Sequence, residues 1–167
     1  SLLPSVDVWA AAIRQEGFDV ELCTSFNPIS SAGFLPCPDS GSGFEYSFSS
    51  LNAAILEELG VAHEELKLIS GMDSIVGFCY KTEADLKVVK AASVTLAKLT
   101  EGIVIECESG AVMDSKKALE WAYGRYEPPV IAQNNLPYRN KLSRITIAKL
   151  VLALLIVIYW LYRLFHQ

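Results

Sequence analysis

Residues 74–107 read SIVGFCYKTEADLKVVKAASVTLAKLTEGIVIEC, and this stretch decides the fold class. Its first part, Ser74 to Tyr80, is short and rich in β-branched and aromatic residues, which predicts a strand. Thr82 and Asp85 then form a T-x-x-D capping box, and apolar residues recur at helical spacing as far as Leu99. The IVIEC at its end is again typical of a strand. The stretch therefore predicts a strand, a helix and a second strand.

The residues before this stretch predict further elements. Pro4 to Glu16 reads as a helix with Ser5 as its N-cap. Phe18 to Cys23 alternates apolar and polar residues, which predicts a half-buried strand. A segment rich in Pro, Ser and Gly follows, in which residues 33–38 pair with residues 43–48 across a turn. The prolines of residues 33–38 would confine that strand to the edge of a sheet.

Three more elements are predicted from local signals. Ser50 caps a short helix that runs to Leu59. Ile103 to Cys107 and Ala111 to Met113 form two strands around a Glu-Ser-Gly turn, and Ser115 caps a final helix. The elements do not alternate regularly as β-α-β units. We therefore expect an α+β fold with a small, mostly antiparallel sheet and helices packed on one face.

The charge of the chain divides it into an acidic and a basic part. Residues 1–129 carry 19 Asp and Glu against 9 Lys and Arg, a net charge of -10, whereas residues 130–167 carry 5 basic residues and no acidic one. We expect an acidic domain over 1–127, a linker and basic juxtamembrane segment over 128–144, and a transmembrane helix over 145–165. The acidic charge argues against nucleic acid as a partner, because that binding depends on basic residues.

The transmembrane prediction rests on an apolar run near the C-terminus. No charged residue lies between Leu150 and Tyr162, and Lys149 and Arg163 lie where their ammonium and guanidinium groups can reach the headgroups. The run alone also fits a buried core helix or a surface helix, but its apolar residues surround the helix and aromatic residues cluster at one end. The residues that we expect to meet lipid are Lys149, Leu150, Leu154, Ile158, Tyr159, Trp160, Tyr162 and Arg163.

The basic residues also predict an orientation. Four of them precede the run, Arg139 to Lys149, and one follows it. The positive-inside rule then places the N-terminal domain in the cytoplasm, with a single pass through the inner membrane. Residues 1–13 lack the basic n-region of a secretory signal, which agrees with this orientation. In that reducing compartment we expect the four cysteines to be free and mostly buried.

Catalytic signatures are weak in this sequence. His63 is the only histidine of the domain, and a pair with Cys37 or Cys79 is chemically conceivable. No motif of a known hydrolase surrounds these residues. Glu106 and Glu108 fall on one strand face, where a pair of carboxylates is either a catalytic pair or an ordinary solvated face. No zinc spacing and no calcium loop is present, so we expect no cofactor and no metal.

The acidic residues are better explained by binding to a protein partner. Acidic surfaces steer and cap basic partners such as nucleases. The carboxylates that we expect to meet such a partner are Glu57, Glu58, Glu64, Glu65, Glu106 and Glu108. The sequence thus favours a binding protein over an enzyme, and the site residues are those of an interface.

Short motifs resemble small bacterial proteins that occur near toxin systems and are taken to be immunity proteins. These motifs are LPSVDVW from Leu3, GFLPC from Gly33, GFEY from Gly43, LTEGIV from Leu99 and ALEWA from Ala118. The resemblance implies a non-catalytic protein that blocks a cognate toxin by occlusion, and it supplies no catalytic residues. Two other functions stay open: a membrane-tethered hydrolase-like enzyme, and a membrane adaptor that recruits a protein partner.

Overall fold

The computed structural model describes residues 3–38, 41–59 and 65–128, and these form a mixed α+β fold. The predicted transmembrane helix over 145–165 lies outside those ranges. Within them, no helix is both long enough and apolar enough to cross a membrane. The elements in chain order are α1 (Val6–Gln15), β1 (Gly33–Pro36), β2 (Gly43–Ser50), α2 (Ala53–Leu59), α3 (Leu66–Ile69), β3 (Ser74–Cys79), α4 (Glu83–Thr100), β4 (Ile103–Glu106), β5 (Ala111–Asp114) and α5 (Ser115–Ala122).

The strands form two antiparallel sheets instead of the single sheet that we expected. The first has the order β1-β2-β3, and the second pairs β4 with β5. The predicted hairpin of β1 and β2 is confirmed, and Pro36 does lie in an edge strand. The turn of this hairpin brings the backbone close to itself at Gly43, where a Cβ atom would stand 2.5 Å from the carbonyl oxygen of Leu35. Only glycine fits there.

Helix α4 lies between the two sheets and packs against both of them. Its capping box is confirmed: the Thr82 hydroxyl accepts from the backbone N–H of Asp85, and the Asp85 carboxylate accepts from the backbone N–H of Thr82. The helix ends at Thr100, and its C-cap residue Glu101 adopts the left-handed conformation at φ 53°. Two hydrophobic clusters form on different faces of α4, since Val88, Ala92 and Leu96 belong to one and Val94 and Ala97 to the other.

The larger cluster joins α1, α4 and the three-stranded sheet around Trp9. The Trp9 side chain is fully buried, and its indole N–H donates to the Ala92 carbonyl at 3.0 Å and to the Thr95 hydroxyl at 3.2 Å. Phe26, Tyr46 and Phe78 surround it with ring centroids 6.1–6.3 Å away. This arrangement leaves no polar group of the indole unsatisfied, as burial requires.

The smaller cluster joins α4 and α5 with the two-stranded sheet. Met113 and Ala118 are fully buried in it, and Trp121 is 9 % exposed. The N-cap of α5 is Asp114, whose carboxylate accepts from the backbone N–H of Lys117 at 2.8 Å. The prediction that Ser115 caps this helix is therefore wrong by one residue, because an aspartate directly before it does so.

Two other sequence predictions are wrong for similar reasons. Ser50 ends β2, and the carboxamide of Asn52 accepts from the backbone N–H of Ile55 at the start of α2 in its place. Residues 18–23 are not a strand. Their side chains do alternate in burial, with Leu22 buried and Asp19 and Glu21 exposed, so the apolar pattern reports the core correctly although the backbone joins neither sheet.

Residues 51–73 form a long connection between two neighbouring antiparallel strands. A hairpin joins such strands with about two to five residues, whereas here the connection contains α2 and α3. Among the described elements, neither of these two helices packs extensively against another helix or strand. The two ends of the connection meet, because the N–H of Leu51 donates to the carbonyl of Asp73 at 2.9 Å.

Candidate functional site

A cleft of about 330 Å³ opens where β3 and β4 end. Tyr80 follows the last residue of β3, and Glu106 is the last residue of β4, so the β3-α4-β4 succession brings both strand ends to one place. Helix α4 and helix α5 supply the other walls. The side chains that line the cleft are Tyr80, Leu86, Lys90, Glu106, Glu108, Ser109, Trp121 and Pro128. This volume is at the lower end of the range for small-ligand sites, about 300–1,000 Å³.

Glu106 holds the turn between β4 and β5. Its Oε1 accepts from the backbone N–H of Glu108 at 2.8 Å, and its Oε2 accepts from the backbone N–H of Ser109 at 2.6 Å. The Ser109 hydroxyl also donates to Oε2, and Ser109 is buried. These three bonds occupy both oxygens of the Glu106 carboxylate within the turn. Glu106 and Ser109 thus form a structural unit.

Glu108 lies in the turn and is exposed. The Tyr80 hydroxyl donates to its Oε1 at 2.9 Å. Burial raises the pKa of Tyr80 to about 12, and the hydrogen bond and charge of Glu108 act in the same direction. Tyr80 therefore stays protonated at neutral pH and continues to donate its hydrogen bond to Glu108. Within the described residues, Glu108 Oε2 has no hydrogen-bond donor.

Lys90 and Trp121 also line the cleft. The Lys90 ammonium lies over the indole ring, 4.6 Å from its centroid, which is a cation–π contact. Among the described residues this ammonium makes no ion pair with a carboxylate. The cleft therefore combines two carboxylates, one ammonium and an aromatic face within a small volume.

Glu106 and Glu108 both line the cleft, but their hydrogen bonds differ: Glu106 bonds within its own turn, and Glu108 bonds to Tyr80. The sequence predicts both on one strand face, as a catalytic pair or as a solvated face, whereas β4 ends at Glu106, so Glu108 belongs to the turn. Glu57 is exposed on α2, and Glu65 directly precedes α3. The side chain of Glu58 and the whole of His63 and Glu64 lie outside the described residues. Sequence reasoning missed Ser109, which directly follows Glu108, and it missed Tyr80, Lys90 and Trp121, which only the fold brings near the glutamates.

The cysteines differ more than we expected. All four are free, but only Cys37 is buried, while Cys79 and Cys107 are exposed, so the prediction of mostly buried thiols is wrong. Burial raises the pKa of the Cys37 thiol to about 11, and the nearby Asp85 carboxylate adds to this. A thiol with so high a pKa is protonated at neutral pH and is a weak nucleophile.

Comparisons with known proteins add no further constraint. No family model matches the chain, and neither a curated protein nor a solved structure matches it. Within residues 3–38, 41–59 and 65–128, no group of three His, Cys, Asp or Glu side chains is arranged to hold a metal ion.

Proposed function

We propose that the chain is a non-catalytic binding protein that residues 145–165 anchor to the inner membrane, with its acidic domain in the cytoplasm. The observation that carries the proposal is the bonding of Glu106, whose carboxylate is used up by its own turn. Glu108 beside it is oriented by Tyr80. Both carboxylates are thus held as a fixed negative surface, and the oxygens of Glu106 are already occupied, which favours recognition by Glu108 over proton transfer by the pair.

The partner that fits best is a basic protein. The charge of -10 over residues 1–129 speeds its encounter with a positively charged surface, and charge pairs at the contact add specificity. In line with the immunity-protein resemblance, the chain would neutralise a cognate bacterial toxin by occluding its active surface. The membrane anchor would place this protection where a toxin acts at or enters through the inner membrane.

The partner test is protection and capture with the full-length chain. Cells that produce the chain should survive a toxin encoded near its gene, and the toxin should copurify with the chain from detergent-solubilised membranes. Reversal of Glu57, Glu58, Glu64 and Glu65 to Lys should slow association and weaken its salt dependence if that face meets the toxin. Reversal of Glu108 to Lys is the matched test of the cleft face. Capture without protection would favour the adaptor.

The anchor has its own test. Full-length protein should resist carbonate extraction from membranes, and a chain ending at Pro128 should be soluble and folded. Recovery of the full-length chain in the soluble fraction without detergent would contradict the anchor.

The exposed thiols of Cys79 and Cys107 report the orientation. They should be protected from an impermeant thiol reagent in intact cells and react after lysis. Buried Cys37 should react only after unfolding, which makes it an internal control. Labelling of Cys79 or Cys107 in intact cells would contradict the cytoplasmic location.

The cleft itself favours one alternative, a membrane-tethered hydrolase-like enzyme, because two carboxylates and a tyrosine line a concave site. Replacement of His63 by Ala should leave protection and partner binding intact, since the proposal gives it no role. A His63 variant that folds and binds its partner but no longer protects would support the enzyme.

A further inference from the structure

We propose that the cleft between the ends of β3 and β4 receives an arginine side chain of the protein partner. The inference rests on the proposed function, since it specifies the chemistry by which the binding protein recognises its partner. Three observations carry it: the cavity, the Glu108 carboxylate that lines it, and the Trp121 ring, which already holds the Lys90 ammonium.

Glu108 supplies the anionic contact. Tyr80 occupies Oε1 and so fixes the carboxylate in one orientation, and Oε2 has no donor among the described residues. A guanidinium group can donate one N–H bond to Oε2 and a second, parallel one to the remaining lone pair of Oε1, because each carboxylate oxygen accepts two bonds. Glu106 adds negative charge behind it while its own oxygens are occupied by the turn.

Trp121 supplies the aromatic contact. The Lys90 ammonium 4.6 Å from the ring centroid shows that this face attracts a cation. Lys90 makes no ion pair among the described residues, so its flexible stem can swing the ammonium into solvent. A guanidinium is planar and less strongly hydrated than an ammonium, and it stacks on aromatic rings. It can therefore replace Lys90 at the indole.

The dimensions fit one long side chain. A volume of about 330 Å³ corresponds to about ten water molecules at roughly 30 Å³ each. This holds an arginine side chain with some water but not a helix or a strand. Leu86 and Pro128 provide apolar lining for the three methylene groups of its stem.

The test uses the full-length chain in detergent micelles and N-acetyl-arginine methylamide as the probe. The indole N–H signals of the tryptophans are followed by NMR. The Trp121 signal should shift in a saturable manner, and the signal of Trp9 should stay, because that indole is buried and bonded to α4. The matching citrulline derivative has nearly the same shape but no charge, and it should give no shift.

Two variants test the contacts with effects of opposite sign. Glu108→Gln should weaken probe binding about tenfold, the loss expected for one charge-assisted hydrogen bond. Lys90→Met keeps the apolar stem but removes the competing ammonium, so it should strengthen binding about threefold. Lys87→Met removes the same charge from an exposed position of α4 that does not line the cleft, and it should change binding by less than Lys90→Met does. An unchanged Trp9 signal shows that each variant is folded.

Several outcomes would overturn the inference: no shift of Trp121, an equal shift with the citrulline derivative, or normal binding by Glu108→Gln. Weaker binding by Lys90→Met would also overturn it, because Lys90 would then assist the ligand. None of these measurements involves the partner, so such a failure leaves the capture and protection tests untouched. Probe binding without capture or protection would instead count against the proposed function.

Discussion

The two hydrophobic clusters of the described domain differ in how their tryptophans, Trp9 and Trp121, are placed. Trp9 lies at the centre of its cluster with no exposed surface and with both indole N–H contacts inside the protein. Trp121 lies at the rim of the smaller cluster, where its ring carries the Lys90 ammonium and borders a cleft. The same residue type thus completes a core in one half and lines a concave surface in the other.

This difference teaches where function can reside in a small α+β domain. The Trp9 half encloses its aromatic rings within the packing of α1, α4 and the three-stranded sheet. Among the described residues, the Trp121 half is built from the two-stranded sheet with α4 and α5, and Trp121 itself lines the cleft. Stability should therefore depend mainly on the first half and recognition on the second.

The strongest test of this division is Trp9→Ala. Removal of the indole leaves a cavity among three aromatic rings and should lower the free energy of unfolding by about 3–5 kcal/mol. Urea unfolding of a chain ending at Pro128 measures this. Val8→Ala on the same helix is the control, because Val8 is 50 % exposed and should cost less than about 0.5 kcal/mol. A loss below about 1 kcal/mol for Trp9→Ala would refute the central position of this residue.

The next effect separates the two glutamates of the cleft. Glu106→Ala deprives two backbone N–H groups and the Ser109 hydroxyl of their acceptor and should cost about 1–3 kcal/mol of unfolding free energy. Glu108→Ala removes an exposed side chain with one hydrogen bond and should cost less than about 1 kcal/mol. The same urea experiment compares them. Equal losses would show that Glu108 is as structural as Glu106.

The caps give a smaller effect. Asp114→Ala removes the N-cap acceptor of α5 and should cost about 1 kcal/mol, whereas Ser115→Ala should cost only a few tenths. Because α5 carries Trp121, the lost cap destabilises the half of the domain that contains the cleft. Thermal unfolding of both variants measures it, and a larger loss for Ser115→Ala would restore the cap predicted from sequence.

The smallest effect appears only at alkaline pH. The pKa of Cys37 is raised to about 11 and that of Tyr46 to about 12 by burial, so the folded protein holds these protons more tightly than the unfolded chain. Their contribution to stability is complete below pH 9 and is lost as the pH rises towards the folded values. Cys37→Ala should reduce the decline in unfolding free energy between about pH 9 and 11, whereas Cys79→Ala, at an exposed position, should leave it unchanged. Parallel pH profiles for all three proteins would refute the assignment.

Local signals explain which parts of the fold could be predicted. The capping box at Thr82 and the prolines flanking the β1–β2 turn act within a few residues, and both predictions are confirmed. Residues 18–23 show the limit of such signals. Alternation reports which side chains face the core, but a strand also needs a partner edge, and no feature of that segment specifies one.

The site was predictable only in part because its residues are far apart in sequence. Glu106 and Glu108 are near neighbours, so their carboxylates stood out together. Tyr80 and Trp121 reach them through the packing of α4 between the two sheets, which no local motif encodes. The order strand, helix, strand over residues 74–107 did carry one usable signal, since it brings the ends of both strands to the cleft.

The long connection over residues 51–73 has a consequence for how this chain can change in length. Loop closure costs only about 0.6 kcal/mol for each doubling of length, and the helices of this connection are absent from the larger packing contacts of the described domain. Insertions in this connection should therefore be tolerated, whereas a deletion that includes Ile69 would remove a buried apolar side chain. The turn between α4 and β4 is the opposite case, because Glu101 and Gly102 alone join two elements that both contribute buried side chains, Ala97 and Val104, to the smaller cluster.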